Sequence, residues 1–129
     1  MNQITTNLVV DSIEAALPFY EKLGFVKKVE GPHEGHLGFV ILEHGSPGKG
    51  GVELMMQSRA SIAADVAGLE QGVYRAMLYV HVDTLAPIRE ALAGWPRVVP
   101  ERTTFYGARE IIVRDPAGNV LAFASRETV

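Results

Sequence analysis

Glu53 is the residue of this chain whose surroundings most favour chemistry. It lies in an apolar run, and an extended backbone there would place Glu53, Met55 and Gln57 on one face of a strand. A carboxylate in such a setting can serve as a general base or as a polar anchor for a ligand. The alternative, with equal weight, is a strand residue that meets solvent or pairs with an arginine. Burial of Glu53 decides between these interpretations.

Histidines offer a second kind of chemistry, because imidazole is a common metal ligand. His33 and His36 are three residues apart, but their segment is rich in glycine and proline, so a helical register cannot be assumed. A single pair supplies too few donors for a metal, and we interpret both as loop histidines without a ligand role. His81 alternates with Met77 and Tyr79 on one strand face, so it either reaches the same cavity or bonds a backbone carbonyl.

Planar and polarizable side chains are the stronger indication of a ligand type, because they form walls suited to planar organic molecules. The candidates on predicted strand faces and loop edges are Phe39, Met55, Met77, Tyr79, Trp95, Phe105 and Tyr106. Simple core packing is the alternative for Phe39 and Trp95. Tyr106 is the predicted rim residue. Arg109 would either hold a ligand anion or form a salt bridge with a carboxylate of the chain.

The elements that position these residues form an internal repeat. A strand-like apolar run precedes a hydroxyl residue and a helical pattern twice, first at 4–9 with Ser12 and again at 76–80 with Thr84. Both hydroxyls stand where a helix N-cap belongs, and the second helical pattern runs through Ile88, Leu92 and Trp95. Three further extended segments follow each helix, at 25–30, 37–44 and 50–57 and then at 97–104, 108–114 and 119–125. The predicted unit is βαβββ, twice.

The segments that connect these elements contain residues that favour turns. Gly24 is a predicted helix stop, and Asp115 to Gly118 is a predicted hairpin turn in which aspartate caps the backbone and glycine accepts a positive φ. The segment 43–51 is dense in turn formers and predicts a hairpin loop. The segment 58–72 has apolar residues at near-helical spacing and predicts a short helix between the two halves.

Composition excludes several classes of function. At 129 residues the chain is long enough for one domain with a proper core. A net charge of −3 without a basic stripe argues against a nucleic-acid partner. The absence of cysteine removes disulfides, thiolate nucleophiles and cysteine metal sites. We find no signal-peptide pattern and no apolar run of the roughly 20 residues that a membrane helix needs, and we expect a cytoplasmic protein without a membrane partner.

Three motifs carry a resemblance to a known family: the helix end Phe19 to Phe25, the run Tyr106 to Glu110 (Tyr-Gly-Ala-Arg-Glu), and the turn Asp115 to Asn119 (Asp-Pro-Ala-Gly-Asn). The chain resembles the vicinal oxygen chelate superfamily of glyoxalases, extradiol dioxygenases and bleomycin resistance proteins. With the start Asn7-Leu8, it is most similar to the bleomycin-resistance-like branch. The resemblance implies an α+β fold in which two βαβββ repeats form a curved mixed sheet enclosing a cavity. It also implies one domain over 1–129, with repeat one about 1–57, a bridging helix about 58–72 and repeat two about 73–129.

Enzymes of this superfamily place metal ligands, usually His or Glu, on the first and last strands of each repeat. The family pattern carries these positions to Thr5, Glu53, Met77 and Ala122. A hydroxyl, a thioether and a methyl group cannot replace imidazoles and a carboxylate for a divalent cation. We therefore predict no metal and no other cofactor, and we disfavour metal-dependent catalysis.

Three functions compete. The first, which we favour, is a metal-independent protein that sequesters an aromatic or hydrophobic compound, with an antibiotic among the candidates, between the two βαβββ units. The predicted ligand-binding residues are Phe39, Glu53, Met55, Met77, Tyr79, Tyr106 and Arg109. The second is a lyase, isomerase or dioxygenase-type enzyme that uses Glu53, with or without metal ligands from a second subunit. The third is a structural or regulatory dimer whose cavity is filled by Met55 and Met77.

The resemblance also implies the oligomeric state. Bleomycin-resistance-like proteins form homodimers with pockets at the interface between chains, so we expect a homodimer with two equivalent pockets. The sequence does not decide whether the first strand is exchanged between chains, and it does not identify the ligand.

Overall fold

The computed structural model describes residues 1–46, 49–74 and 77–126. The chain divides into two compact units, of which the first comprises Met1–Tyr74 and the second the rest of the chain. Within the described ranges no helix is both long and apolar enough to cross a membrane. The two units repeat the same order of elements, which confirms the predicted βαβββ repeat and the α+β class.

The first unit forms a four-stranded mixed sheet. Its βαβββ elements are β1 (Thr6–Val10), α1 (Ile13–Lys22), β2 (Val26–His33), β3 (His36–His44) and β4 (Val52–Ser58), followed by α2 (Arg59–Asp65) and the 3-10 helix Leu69–Gln71. The sheet order is β1-β4-β3-β2, with β1 parallel to β4 and the other pairs antiparallel. Because β1 pairs with β4 rather than with β2, the first and last strands of the repeat lie side by side.

Helix α1 begins and ends at the predicted residues. The Ser12 hydroxyl accepts a hydrogen bond from the backbone N–H of Ala15, which confirms Ser12 as the N-cap. Gly24 follows the C-cap residue with a φ of +97°, a left-handed value that residues with a Cβ avoid, so the helix stops there. The buried face of α1 packs on β3 and β4 through Ile13, Ala16, Leu17, Phe19 and Tyr20.

The second unit has the same topology with shorter elements. They are β5 (Met77–His81), α3 (Ala86–Ala91), β6 (Arg102–Thr103), β7 (Arg109–Arg114) and β8 (Val120–Ser125), in the order β5-β8-β7-β6. Strand β5 is parallel to β8, and β7 pairs antiparallel with β8 and β6. Ala76, the first residue of the strand predicted from the sequence, lies outside the described residues.

The hairpin between β7 and β8 is closed by the turn predicted at Asp115. The Asp115 carboxylate accepts hydrogen bonds from the backbone N–H groups of Ala117 and Asn119 and from the Asn119 side chain, at 2.8 to 3.0 Å. Gly118 has a φ of +89°. The predicted turn chemistry is therefore confirmed.

Several predicted boundaries in the second unit are wrong. Leu85, not Thr84, is the N-cap of α3, and the Thr84 hydroxyl accepts from the N–H of Ala86 at 3.3 Å. Pro87 shifts the start, because proline fits the first turn of a helix, where its missing N–H is not needed. The helix ends at Ala91, so Trp95 lies beyond it, and its indole N–H donates to the backbone oxygen of Arg114 at 2.8 Å.

Two other predicted elements are shorter in the structure than the sequence indicates. The strand predicted at 97–104 is only Arg102–Thr103 plus an isolated bridge between Arg97 and Val113. Pro96 and Pro100 donate no backbone hydrogen bond, which limits pairing along this edge. The helix predicted at 58–72 is α2 followed by one 3-10 turn. In the loop 43–51, Glu43 and His44 still belong to β3, and positions 47 and 48 lie outside the described residues.

Candidate functional site

Tyr79 presents its ring on one face of β5. Side chains alternate along this strand, so Met77, Tyr79 and His81 point to one face, where each is exposed, and the residues between them are half-buried. The Tyr79 side chain is 39% exposed. The ring of His81 lies 5.2 Å from the ring of Tyr79 in an edge-to-face arrangement. Strand alternation therefore places His81 beside Tyr79, as the sequence predicts.

A buried carboxylate lies on the same face of this sheet. His81 is in register with Ala124 on β8, and Ala124 is in register with Glu110 on β7, so Glu110 and His81 share a face. Glu110 is 2% exposed, although charged side chains are rarely so buried unless they are paired. Its partners explain this burial.

Tyr106 is brought to the same carboxylate by a tight turn. Thr104 and Ala108 bond each other across the turn, N–H to carbonyl at 2.7 Å, and the Thr104 hydroxyl accepts from the N–H of Ala108 at 3.0 Å. Gly107 has a φ of +86° and donates its N–H to the Thr104 carbonyl. This turn leaves Tyr106 44% exposed, with its hydroxyl directed at Glu110.

The two phenols and the carboxylate form a triangle of short contacts, which we call the tyrosine–carboxylate cluster (Tyr79, Tyr106, Glu110). The Tyr79 hydroxyl donates to Oε2 of Glu110 at 2.6 Å, and the Tyr106 hydroxyl donates to the same oxygen at 3.1 Å. The two hydroxyl oxygens are 3.0 Å apart. Arg102 approaches the other carboxylate oxygen, Oε1, with Nε and Nη2 both at 3.0 Å.

These contacts keep the carboxylate charged and the phenol neutral. The hydrogen bond from Tyr79 holds the pKa of the Glu110 carboxyl below its usual range despite burial, and Arg102 and Tyr106 act in the same direction as Tyr79. The same hydrogen bond raises the pKa of the Tyr79 hydroxyl above its usual range, with a further contribution from Tyr106. A phenol held neutral is a poor base, and a carboxylate saturated by donors is a poor nucleophile. The cluster therefore offers neither a free general base nor a free carboxylate nucleophile.

An open cavity of about 390 Å³ lies beside the cluster. Its lining comes entirely from the second unit and comprises Tyr79, His81, Val82, Asp83, Tyr106, Ala108, Ala124 and Arg126. Its volume lies within the range of roughly 300–1,000 Å³ that is typical of small-molecule sites. The side chains of Tyr79 and Tyr106 form part of its wall.

Three of the predicted ligand-binding residues lie in the first unit. Glu53 and Met55 share a face of β4, as predicted, and both are half-buried. Glu53 is in register with Glu43 of β3, while Phe39, also half-buried, is in register with Gln57. The cavity at the tyrosine–carboxylate cluster includes none of these side chains.

Arg109 lies on the other face of β7 from Glu110, since the two are neighbours in the strand. Its Nε donates to Glu101 at 2.6 Å, and its Nη1 donates to the Thr103 hydroxyl at 3.1 Å. Arg89 binds the same carboxylate at 2.8 and 3.1 Å. The structure therefore brings Tyr79 and Tyr106 together but does not bring Arg109 to them.

The positions that correspond to the superfamily's metal ligands do not fit a divalent cation. Met77 is exposed at the start of β5, and Ala122 is fully buried in register with Tyr79. Thr5 precedes β1, and only Glu53 offers a carboxylate. Over residues 1–46, 49–74 and 77–126, no three His, Asp or Glu side chains are close enough to hold a metal ion together.

The two neighbouring histidines of the first unit face each other across the β2–β3 hairpin. His33 is in register with His36, and Nδ1 of His36 lies 4.0 Å from Oε1 of Glu14. Glu14 also accepts the backbone N–H of Leu37, and this bond lowers the pKa of its carboxyl. These contacts tie the hairpin to the first turn of α1.

Sequence reasoning selected Tyr79 and Tyr106 but missed Glu110 and Arg102. The sequence indicates only that Arg109 and Glu110 are adjacent on a strand and must point to opposite faces. Pairing of β7 with β8 and of β8 with β5 then puts Glu110 on the face of Tyr79. That pairing was not readable from the sequence alone.

Comparison with known proteins agrees with this architecture. The family model "Glyoxalase/Bleomycin resistance protein/Dioxygenase superfamily" matches residues 1–123. Among curated proteins, none matches the sequence of this chain.

Solved structures with the same fold include three informative examples. A glyoxalase/bleomycin resistance protein/dioxygenase from Nocardioides is 21% identical, with a TM-score of 0.70, covering 97% of this chain and 84% of that one. A family enzyme from Burkholderia phytofirmans PsJN is 18% identical, with a TM-score of 0.73, covering 95% and 97%. A bleomycin-binding protein solved with bleomycin is 21% identical, with a TM-score of 0.65, covering 98% and 100%. At these identities the likeness shows a shared fold, and together with the match over residues 1–123 it establishes that the chain belongs to the glyoxalase/bleomycin resistance protein/dioxygenase superfamily.

Proposed function

We propose that this protein is a metal-independent small-molecule-binding protein that sequesters an aromatic or hydrophobic compound in the cavity of its second unit. The observation that carries the proposal is the tyrosine–carboxylate cluster. Two partly exposed phenol rings are held beside the cavity by one buried carboxylate, Glu110. Rings fixed in this way lose little side-chain entropy when a ligand stacks on them, which favours binding.

The chemistry of the cluster supports binding over catalysis. A bound ligand finds an apolar or aromatic wall and a polar point, the combination typical of small-molecule sites. Glu110 is neutralised by Arg102 and accepts both phenol hydrogens, so it has no role left as a base. The donor set at the superfamily's ligand positions argues against a metal, because Met77 and Ala122 supply no oxygen or nitrogen side-chain donor.

An antibiotic is one candidate ligand. The relative described as a bleomycin-binding protein complexed with bleomycin has the same fold at 21% identity. Such a similarity does not carry a ligand from one protein to another, so antibiotic sequestration is a hypothesis to be tested together with other aromatic compounds.

The binding function is tested by a thermal-shift screen of aromatic compounds against metal-depleted protein. Compounds that raise the melting temperature of the wild type should fail to stabilise the Tyr79→Ala/Tyr106→Ala double variant. Tyr74→Ala is the matched control, because Tyr74 is 43% exposed but does not line the cavity. Equal stabilisation of the wild type and the double variant would contradict the assignment of the site.

We also propose that the protein acts as a homodimer. Phe105 is fully exposed, and Val29 and Val52 are about half exposed, which leaves apolar surface that a second copy would cover. Light scattering with size-exclusion chromatography measures the mass directly. A mass equal to one chain at all concentrations would contradict this part of the proposal.

A further inference from the structure

The tyrosine–carboxylate cluster contains two hydroxyl hydrogens and three short oxygen–oxygen contacts. Those contacts measure 2.6, 3.0 and 3.1 Å. Each phenol carries one hydrogen, and an ionised carboxylate carries none. The carboxylate oxygen of Glu110 is the strongest acceptor of the three, so both hydrogens stay inside the cluster.

The orientation of the carboxylate is fixed from its other side. Arg102 places Nε and Nη2 at 3.0 Å from Oε1, while both phenols approach Oε2. Each oxygen of Glu110 therefore has its own set of donors. Because guanidinium has donors only, Oε1 must remain an acceptor facing Arg102.

What the cluster offers to the cavity is consequently limited to lone pairs. Tyr79 and Tyr106 both line the cavity, and their hydrogens are engaged with Glu110. Each phenol oxygen retains acceptor capacity. At the two phenol oxygens, a ligand group gains a hydrogen bond only if it brings its own hydrogen.

With the His81 imidazole neutral, the remaining lining carries no excess charge. Asp83 and Arg126 contribute one charge of each sign, and Ala108 and Ala124 add small buried side chains. A strongly anionic or cationic ligand therefore gains no net attraction from these side chains.

We propose that the cavity selects neutral aromatic ligands that carry an N–H or O–H group, which donates to the phenol oxygens of Tyr79 and Tyr106. This inference rests on the proposed binding function and adds that the ligand is a hydrogen-bond donor. It predicts that an aromatic N–H compound binds more tightly than an isosteric compound that has an oxygen acceptor at the same position.

The same geometry predicts which substitution would change the cavity from accepting hydrogen bonds to donating them. In Glu110→Gln, Arg102 still requires the amide oxygen on its side, so the amide nitrogen must face the phenols. That NH₂ group donates to Tyr79 and Tyr106 instead of accepting from them. The two hydroxyl oxygens are 3.0 Å apart, so one phenol can still donate to the other. The hydroxyl hydrogen of the second phenol is then free to point into the cavity, which becomes able to donate.

Indole and benzofuran form a suitable probe pair, because they share a shape and differ in N–H against O. We expect indole to bind the wild type about fivefold more tightly than benzofuran, the effect of one net hydrogen bond. In Glu110→Gln this preference should disappear or reverse. Isothermal titration calorimetry on the full chain measures the affinity of each compound for the wild type and for each variant. Glu101→Gln is the matched control, because the Glu101 carboxylate accepts from Arg89 and Arg109 rather than from the two tyrosines, and this variant should retain the preference for indole.

The outcomes separate the two proposals. If neither compound binds the wild type, this inference is overturned, whereas the proposed binding function is decided separately by the thermal-shift screen. If both bind the wild type equally, the binding function stands and the donor preference is overturned, a result that needs no variant to fold. Persistence of the indole preference in folded Glu110→Gln would also overturn it, whereas its loss there and retention in Glu101→Gln would support it.

Discussion

The hydroxyl oxygen of Tyr79 lies 2.6 Å from Oε2 of Glu110, which is the length of a charge-assisted hydrogen bond between a phenol and an ionised carboxylate. This contact joins the first strand of the second repeat to a central strand of the same sheet. It also explains why an acidic side chain with 2% exposure is tolerated there.

The first prediction concerns acid stability. Because the folded-state pKa of Glu110 is lowered, its ionised form stabilises the fold above the unfolded-state pKa of roughly 4.3. That stabilisation is lost as the pH falls through the lower folded-state pKa. The difference in unfolding free energy between the wild type and Glu110→Gln should therefore shrink as the pH decreases from 7 toward 3, as measured by urea denaturation.

A matched control for this experiment is Glu30→Gln, since the Glu30 side chain is 53% exposed and forms a surface ion pair with Lys27. Its difference from the wild type should stay close to zero throughout. A difference for Glu110→Gln that is constant from neutral to acid pH would contradict the lowered pKa of the Glu110 carboxyl in the folded state.

The second prediction concerns alkaline titration of Tyr79. Its folded-state pKa is raised by Glu110, so its contribution to stability is complete below the unfolded-state pKa of about 10 and is lost as the pH rises through the folded-state value. The phenolate absorbance of the wild type minus that of Tyr79→Phe should show one phenol that ionises later than a free tyrosine. In Glu110→Gln the same phenol should ionise earlier. A Tyr79 phenol that titrates as in a free peptide would contradict the contact.

The third prediction concerns Glu101, which holds Arg89 and Arg109 at 2.6 to 3.1 Å. Its side chain is 21% exposed, so charge-assisted bonds there are less screened than at the surface. Glu101→Gln should lower the unfolding free energy by about 1–2 kcal/mol. Glu30→Gln, at an exposed pair, should cost at most about 0.5 kcal/mol. If denaturant titrations show that both substitutions lower the unfolding free energy equally, burial does not strengthen the bonds of Glu101.

The fourth prediction concerns the β7–β8 turn. Asp115 is 4% exposed, and its carboxylate accepts from two backbone N–H groups and one side-chain amide. Asp115→Ala leaves those donors without their partner and should cost about 2–3 kcal/mol. Asp11→Ala is the control, because Asp11 lies at the surface beside Arg59 and should change stability by less than about 0.5 kcal/mol. If the two variants melt at the same temperature, the turn does not depend on this carboxylate.

Much of the fold was predictable, because local rules agreed with tertiary packing. Ser12 caps α1 and Asp115 closes its turn as side-chain chemistry requires, and alternation along β5 groups Tyr79 with His81. The strand predicted at 97–104 is reduced to Arg102–Thr103, because residues that favour strands do not compensate for the prolines at positions 96 and 100.

The candidate site was only partly predictable for a related reason. Tyr79 and Tyr106 could be selected by residue type, but their partner Glu110 depends on the register between β5, β8 and β7. Glu53 drew attention as a carboxylate among methionines, whereas the buried carboxylate that gathers donors is Glu110. Glu110 was not predicted because its position depends on pairing between strands that are distant in the sequence, and the local pattern of the chain does not specify that pairing.

Aromatic binding at the tyrosine–carboxylate cluster without a metal can be tested by calorimetric titration of indole into chelator-treated protein. The titration is repeated with Zn²⁺, Ni²⁺ and Mn²⁺ and with the Tyr79→Ala/Tyr106→Ala variant. We expect saturable binding that is unchanged by the metals and abolished in the double variant. Binding that requires a metal, or that survives removal of both tyrosines, would contradict it.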